Sequence, residues 1–407
     1  MNKPELLAPA GNLEKLKTAI DFGADAVYLG GSKLSLRAFA DNFSSEELLE
    51  GLNYSHERGK KVYVTVNVIP HNEDLVGIED YLSELYTIGV DAIIVSDPGI
   101  ISIAKEIVPN LELHLSTQAN TVNWKSAEFW YKQGIKRVVL AREMSLEEIN
   151  EIRSKLDLKC EIEAFVHGSM CMSYSGRCVL SNYMTGRDSN RGQCAQPCRY
   201  KYYLMEEKRP GEYFPIVEDN KGTYILNSKD LCMIEHIPEL IESGIDSFKI
   251  EGRMKSSYYV ASIVKSYRMA IDTYFENPDG YVFKKQWLDT LLKASHRKYF
   301  TGFYFNDPDT QIFENSSYIR DYDIVGIVRE YDKLKVRATV EQRNKLYEGD
   351  KVEVLRPYSD DFSINIEDLR NFENVKIEAA PVAQMIFSFI SKEELLPGDM
   401  LIKEKKM

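Results

Sequence analysis

Four of the six cysteines in this 407-residue chain, Cys171, Cys178, Cys194 and Cys198, fall within one short stretch. Thiolates are soft ligands, so their clustering points to a metal centre. Their spacing is C-x6-C-x15-C-x3-C. A zinc ribbon is built from two tight C-x2–4-C knuckles, and only the last pair approaches that pattern. Iron–sulfur clusters also take four thiolates, with more varied spacing. Spacing alone leaves zinc and a cluster both open, beside the plainer reading of four buried free thiols. Gly168, Gly176 and Gly192 flank the cysteines and would let backbone N–H groups approach cluster sulfurs. Arg177, Arg191 and Arg199 would offset thiolate charge.

A second chemical group is Lys249-Ile-Glu251-Gly-Arg253. Alternation along an extended segment puts Lys249, Glu251 and Arg253 on one side. Two such cations suit a dicarboxylate, and Glu251 could orient them or carry a proton. A structural ion-pair layer is an equal alternative. Glu163 and His167 join these three as catalytic candidates. Asn67, Gln118 and Arg142 are substrate-binding candidates, and Asp97 occupies a comparable position. Each sits at or just past the end of an apolar run, and each would serve equally as a hydrogen-bonding core residue. The six histidines form no H-E-x-x-H, and no G-x-S-x-G elbow occurs. His167 precedes Cys171 by four residues, which by itself does not make a Cys–His pair.

These residues must be held by a scaffold, and a repeated phrase describes it. Gly23-Ala-Asp-Ala-Val-Tyr-Leu-Gly, Gly89-Val-Asp-Ala-Ile-Ile-Val-Ser, Gly134-Ile-Lys-Arg-Val-Val-Leu-Ala and Gly244-Ile-Asp-Ser-Phe-Lys-Ile-Glu share one pattern. Each follows a helical stretch, places Gly at a helix C-cap and then runs apolar, as a buried parallel strand does. Leu6–Pro9, Val62–Val68, Leu111–Gln118 and Glu161–Val166 supply the intervening strands. Eight β/α units predict a TIM-type (β/α)8 barrel over residues 1–305. An open doubly wound sheet is the rival, but no GxGxxG follows the first strand. The gap between the third and fourth phrases is too long for two units. The surplus, about 168–228, is a cysteine-rich insertion after strand seven, with short strands at Tyr200–Met205, Glu212–Val217 and Thr223–Asn227. Loops of that kind lie on the C-terminal face of a barrel, where chemistry is done. A long helix follows over Ser256–Phe275. Short strands at Asp323–Val328, Leu334–Val340, Asp350–Leu355 and Asp399–Ile402 predict a small β-barrel domain over 310–407.

Composition narrows the function. Apolar residues at 44% and charged residues at 28% exclude a disordered tail or a disulfide miniprotein. No apolar run is long enough for a membrane span, and the N-terminus does not read as a signal peptide, so a cytoplasmic protein is expected. The net charge of −12 argues against nucleic-acid binding by bulk charge. Two segments run the other way. Residues 171–203 carry Arg177, Arg187, Arg191, Arg199 and Lys201 against Asp188 alone, interleaved with Tyr174, Tyr183, Tyr200, Tyr202 and Tyr203. Residues 249–268 carry Lys249, Arg253, Lys255, Lys265 and Arg268 against Glu251, interleaved with Tyr258, Tyr259 and Tyr267. Cations beside aromatic rings suit single-stranded RNA, and solvated faces with core tyrosines suit the same pattern.

The stretch E-x-F-x2-G-S-M-C-x4-G-x-C-x-L-S, Glu163 to Ser181, resembles the signature of the collagenase-like peptidase family of unassigned catalytic type. Leu7-Ala-Pro-Ala-Gly, Ser116-Thr-Gln, Tyr224-Ile-Leu-Asn-Ser-Lys-Asp and Lys249-Ile-Glu-Gly-Arg resemble further family blocks, so the likeness spans nearly the whole chain. The branch it most resembles is that of the tRNA hydroxylation proteins. That resemblance implies oxygen-independent formation of 5-hydroxyuridine from the wobble uridine, at the tRNA anticodon loop. It implies a 4Fe–4S iron–sulfur cluster on Cys171, Cys178, Cys194 and Cys198, with Cys232 as the alternative fourth ligand. It also implies prephenate as hydroxyl source, a small dicarboxylate for Lys249 and Arg253 to hold. Arg177, Arg191 and Arg199 would guide the RNA. A peptidase, or a hydroxylase of an rRNA cytidine, is the alternative function, and a zinc-stabilised RNA-binding module without catalysis is a third.

Overall fold

The computed structural model describes residues 2–31, 34, 42–171, 173–174, 178–199, 203–204, 214–215, 227–305, 311–312 and 318–405. Eight strands form the centre: β1 (Glu5–Pro9), β2 (Ala26–Gly30), β3 (Lys61–Val66), β4 (Ala92–Val95), β5 (Glu112–Leu115), β6 (Arg137–Val139), β7 (Glu161–Ser169) and β8 (Ser247–Ile250). Each pairs in parallel with the next, and β8 pairs with both β7 and β1, which closes the barrel. The helices α1 (Leu13–Asp21), α2 (Ser45–His56), α3 (Ile78–Thr87), α4 (Pro98–Ile107), α5 (Trp124–Lys132) and α6 (Leu146–Lys155) alternate with the first seven strands. The expected TIM-type fold is therefore present, in the expected strand order.

Local chemistry explains the joints. Gly23, Gly89, Gly134 and Gly244 all take positive φ, from +74° to +108°, where L side chains are strained. Each ends a helix and turns the chain into the next apolar strand. Ser44 and Ser145 open α2 and α6 with reciprocal capping boxes to Glu47 and Glu148. Asp97 caps α4, accepting from the N–H groups of Gly99 and Ile100, so a helix start accounts for that candidate.

Several strands differ in extent from the sequence reading, and two of the differences bear on the site. β5 stops at Leu115, and Gln118 lies in a single helical turn, Thr117–Ala119. β7 runs on to Ser169 because its end pairs antiparallel with a short strand, Asp230–Cys232. Between those two lies the cysteine insertion, with the short helix α7 (Leu180–Thr185). Tyr203–Leu204 pairs with Phe214–Pro215, and Asn227–Ser228 pairs with Gln311–Ile312. The rest of the expected strands near 200–227 lies outside the described residues, as do Arg177 and Gly176.

After the insertion come α8 (Ile237–Glu242), β8, α9 (Ser257–Glu276) and α10 (Lys285–Lys293). No helix among the described residues is long and apolar enough to cross a membrane. The second domain is β-rich, as expected. Its antiparallel sheet runs Phe362–Asn365, Lys351–Leu355, Met400–Glu404, Tyr322–Asp332, Arg337–Gln342, Ile386–Ile390, Glu367–Asn371. Its own core includes Val340, Val354, Phe387, Phe389 and Leu401. Ile327, Leu355, Met400 and Ile402 instead join the apolar layer of the barrel helices. Lys265 on α9 and Lys293 on α10 pair with Asp361 and Glu353 of this domain.

Candidate functional site

The barrel interior is chemically divided. Leu7, Ala26, Tyr28, Tyr63, Ala92 and Ile94 form an apolar side. Against them runs a chain of charges, with Tyr63 donating to Glu5 at 2.7 Å. Arg137 reaches Glu5 at 2.5 Å, Glu161 at 2.7 Å and Glu163 at 3.2 Å. Glu163 in turn accepts from Lys249 Nζ at 2.6 Å. Glu163 is fully buried and Lys249 nearly so. Burial opposes the Glu163 carboxylate, but Lys249 and Arg137 outweigh it and hold the carboxyl below its ordinary range. Burial also pushes Lys249 below the ordinary amine value, against the pull of Glu163. Lys249 Nζ lies 4.6 Å from the Tyr28 ring centre, a cation–π contact. Arg137 and Glu5 were not among the sequence candidates. A charged residue opening an apolar strand was the available signal for each.

Above this network a cavity of about 280 Å³ opens at the C-terminal ends of the strands. It is lined by Lys249, Glu251 and Arg253, by Asn67, Gln118 and Arg142, and by Cys171, Cys178, Cys194 and Cys198. Residues spread over more than 180 positions of chain thus meet in one space. Arg142 donates to the Ser169 carbonyl at 2.8 Å and lies over the Phe165 ring at 3.9 Å. Arg253 donates to Thr65 Oγ1 at 3.2 Å. Two glycines, one on β7 and one just after β1, make room for the chain leaving β8. A Cβ on Gly168, at φ +112°, would stand 2.5 Å from the Glu251 carbonyl oxygen, and one on Gly11 would stand 2.1 Å from that of Arg253.

The insertion is anchored onto the barrel. The Ile69 N–H donates to the Asn190 carbonyl, and Arg191 pairs with Asp74 at 2.7 Å and Glu73 at 3.2 Å. Ser189 and Asn190 donate to the Cys178 carbonyl, and the Gln196 N–H donates to Cys194 Sγ at 3.3 Å. None of the six cysteines is in a disulfide. Cys171 is exposed, and Cys178, Cys194 and Cys198 are partly so. Cys160 and Cys232 are buried away from the cavity, and burial pushes their thiols up to about 11 and about 12. Among the described residues no three His, Cys, Asp or Glu side chains converge on the position of a single metal ion.

Several expected site residues are placed elsewhere. His167 is on the outer face of β7, against Tyr259, Tyr267 and Tyr299. The reason is a register shift: Lys249 pairs with Phe165, but Ile250 pairs with His167, so the bulge turns His167 outward. Burial drives its imidazole down to about 3, so it is neutral, and none of the six histidines lines the cavity. The segment 249–268 is not an exposed basic face. Tyr258, Tyr259 and Tyr267 are core residues, Lys265 is buried against Asp361, and Arg268 pairs with Asp25 at 2.8 Å. α9 is covered on most sides, and 14 of its 20 residues are buried. Arg191 is engaged by Asp74 and Glu73 rather than standing free. Arg187, Tyr174 and Cys171 do reach the cavity. Arg177, Tyr200, Lys201 and Tyr202 lie outside the described residues, and so does the Arg199 side chain.

Fold and site together define a (β/α)8-barrel protein with a cysteine-bearing loop at the mouth of a charged barrel, joined to a β-rich domain. The chain belongs to peptidase family U32: the model of that family matches residues 11–314, and that of the U32 C-terminal domain matches residues 320–401. It is 46% identical to tRNA hydroxylation protein P1 of Bacillus subtilis, over 99% of this chain and 95% of that one. It is 41% identical to tRNA hydroxylation protein P of Escherichia coli, over 94% and 92%. An uncharacterized protease of Methanocaldococcus jannaschii is 44% identical over 86% of each chain.

Proposed function

We propose that this chain is a cytoplasmic enzyme that hydroxylates the tRNA wobble uridine at C5 without molecular oxygen. In this reading Cys171, Cys178, Cys194 and Cys198 hold a 4Fe–4S cluster and prephenate provides the hydroxyl. The observation that carries it is the single cavity shared by those four thiols and by Lys249, Arg142 and Arg253. The donor set suits a cluster by type and place: four cysteines, none in a disulfide, that line one cavity. A cluster gives each thiolate its own iron, so the sulfurs need not crowd around one ion. Cys232, buried and off the cavity, is the weaker fourth ligand. When bound, the cluster would supply electron transfer or Lewis-acid chemistry at that wall.

The protein's own groups have definable tasks. Arg253, Arg142 and Lys249 present cations to the carboxylates of a small acid. Glu163 and Arg137 aim Lys249 and govern its proton. Glu251, at the end of β8, can take or return a proton at the reacting base. Replacing C5–H by C5–OH is a two-electron oxidation, so the hydroxyl donor must accept the electron pair. An anticodon loop can deliver a splayed base to such a cavity at small cost. Likeness to proteins named for tRNA hydroxylation supports the substrate class. A cysteine peptidase would need an imidazole beside a thiolate, and here no histidine lines the cavity.

The test has two arms. Anaerobically purified protein should carry iron and sulfide in proportion, and Cys171→Ser should lose both. Iron-free protein with all four thiols intact would overturn the cluster. Nucleosides of tRNA from a deletion strain should lack 5-hydroxyuridine, with restoration by the wild-type chain but not by Arg253→Ala. Unchanged 5-hydroxyuridine in a strain lacking every relative would overturn the substrate.

A further inference from the structure

We propose that Tyr183 and Met184, on the outward stripe of α7, form a stacking platform for the nucleotides that flank the wobble base in the anticodon loop. This rests on the tRNA reading above and adds to it the surface that holds the loop while one base is inside the cavity. α7 stands in the cysteine loop between Cys178 and Cys194, and its residues divide by face. Residues three and four apart share one face of a helix. Leu180 lines the cavity, and Tyr183 and Met184 lie three and four positions beyond it. Arg187, just past the helix, lines the cavity again, so both ends of the stripe are at the mouth. Asn182 and Gly186 turn instead to a separate groove with His71, Asp74 and Arg191. Ser181 is buried beneath, accepting the Ala195 N–H at 2.9 Å.

One exposed apolar side chain needs no explanation. Here they gather. Tyr183 is 89% exposed and Val179 71%, Met184 is exposed beside them, and Tyr174 and Met254, also exposed, line the cavity itself. Exposed apolar groups collected at a cavity mouth mark a binding surface. What covers it follows from position and chemistry. A loop that places one base in the cavity lays the neighbouring bases across the mouth. An aromatic ring stacks on any base, and a thioether packs well on aromatic rings. Arg187, whose Nε donates to the Gln193 carbonyl at 3.1 Å, adds a cation for the phosphates between those bases. The six residues of α7 span about 9 Å, and stacked bases of one strand lie about 3.4 Å apart, so the stripe suits about two or three nucleotides. A duplex covers its base faces with neighbouring pairs and has nothing to stack here.

The test uses the full chain, purified anaerobically, and labelled anticodon stem–loops, with affinity read by fluorescence anisotropy. Tyr183→Ala should bind about five- to hundredfold more weakly, and Tyr183→Phe, which keeps the ring, within about twofold of wild type. Stem–loops lacking one base beside the wobble position, with the sugar and phosphate kept, should lose a similar factor against the wild-type chain. Tyr183→Ala should be nearly indifferent to the missing base, which a merely structural role for the ring would not produce. Wild-type affinity that ignores the missing bases on both sides overturns the proposal, and that series decides even if a variant misfolds. Tyr183→Ala binding as tightly as wild type also overturns it. So does a dimer that Tyr183→Ala converts to monomer in sedimentation, which would give the stripe to a second copy of the chain. If the intact stem–loop still outcompetes a duplex of equal length, the tRNA reading survives any of these results. If it does not, both fall.

Discussion

Glu163→Gln isolates the buried charge that holds Lys249. The substitution keeps shape and one acceptor, so no cavity term arises. It removes the single negative charge 2.6 Å from Lys249 Nζ. Arg137 keeps Glu5 and Glu161, so the loss falls on Lys249, whose side chain is only 5% exposed. Stripping one partner from a buried pair costs about 3–5 kcal/mol. The ceiling is consistent with a second route. Lys249 can escape by shedding its proton, and bringing an amine of ordinary value 10.5 to neutrality at pH 7 costs about 5 kcal/mol. The assay is chemical denaturation of the single variants Glu163→Gln and Lys249→Met and of the double variant. The double variant removes both charges and should recover at least about 2 kcal/mol relative to the sum of the singles. The pH dependence has a definite sign. A lysine depressed in the fold binds fewer protons there than when unfolded, so stability rises with pH up to its ordinary value. The Glu163→Gln deficit should therefore shrink from neutral pH toward about pH 10. Additive singles, or a Glu163→Gln deficit that does not change with pH, would refute the coupling.

Acid should act on the same network from the other side. Burial works against Glu5, Glu161 and Glu163, but Arg137 and, at Glu163, Lys249 hold all three below the ordinary carboxylate range. Their contribution is complete above that range and is lost as pH falls through their folded values, so circular dichroism should show cooperative acid unfolding that Arg137→Met moves to higher pH. Gly168→Ala places a methyl against the Glu251 carbonyl at φ +112°, and a thermal melt should fall by the equivalent of about 1–3 kcal/mol; an unchanged melt would contradict that close approach. In the apoprotein, timed alkylation with peptide mass spectrometry should label Cys171 first and Cys160 and Cys232 last, since burial keeps the latter two protonated and covered. Cys232→Ser should retain the iron of anaerobically purified protein while Cys198→Ser loses it; the reverse would make Cys232 the fourth ligand.

The barrel was legible because its signals are local. A Gly that must take positive φ, followed by an apolar run, identifies a helix end and a buried strand wherever they occur, and four copies fix the order. The place of the cysteines was legible for a topological reason: surplus chain after strand seven can only emerge at the C-terminal face. Lys249, Glu251 and Arg253 do line one cavity, but only Lys249 lies in the strand, which ends at Ile250, so alternation is not what brings Arg253 there. What sequence could not supply was the outcome of pairings between distant residues. A one-residue bulge opposite Ile250 sends His167 to the outer layer, and no feature of Val-His-Gly announces it. Lys265, Arg268 and three tyrosines of α9 look like a basic aromatic face, yet Asp361 takes Lys265, Asp25 takes Arg268, and Tyr259 and Tyr267 pack on β7. Arg137 meets Glu5 across 132 residues of chain. Asn67 and Gln118 meet Lys249 and Arg253 around one cavity only once the strands have closed. Residue types and their periods determined the scaffold and which chemistry it could carry. Which of those groups face one another, and which are spent on structure, is a matter of burial and register, and those exist only once the barrel has closed.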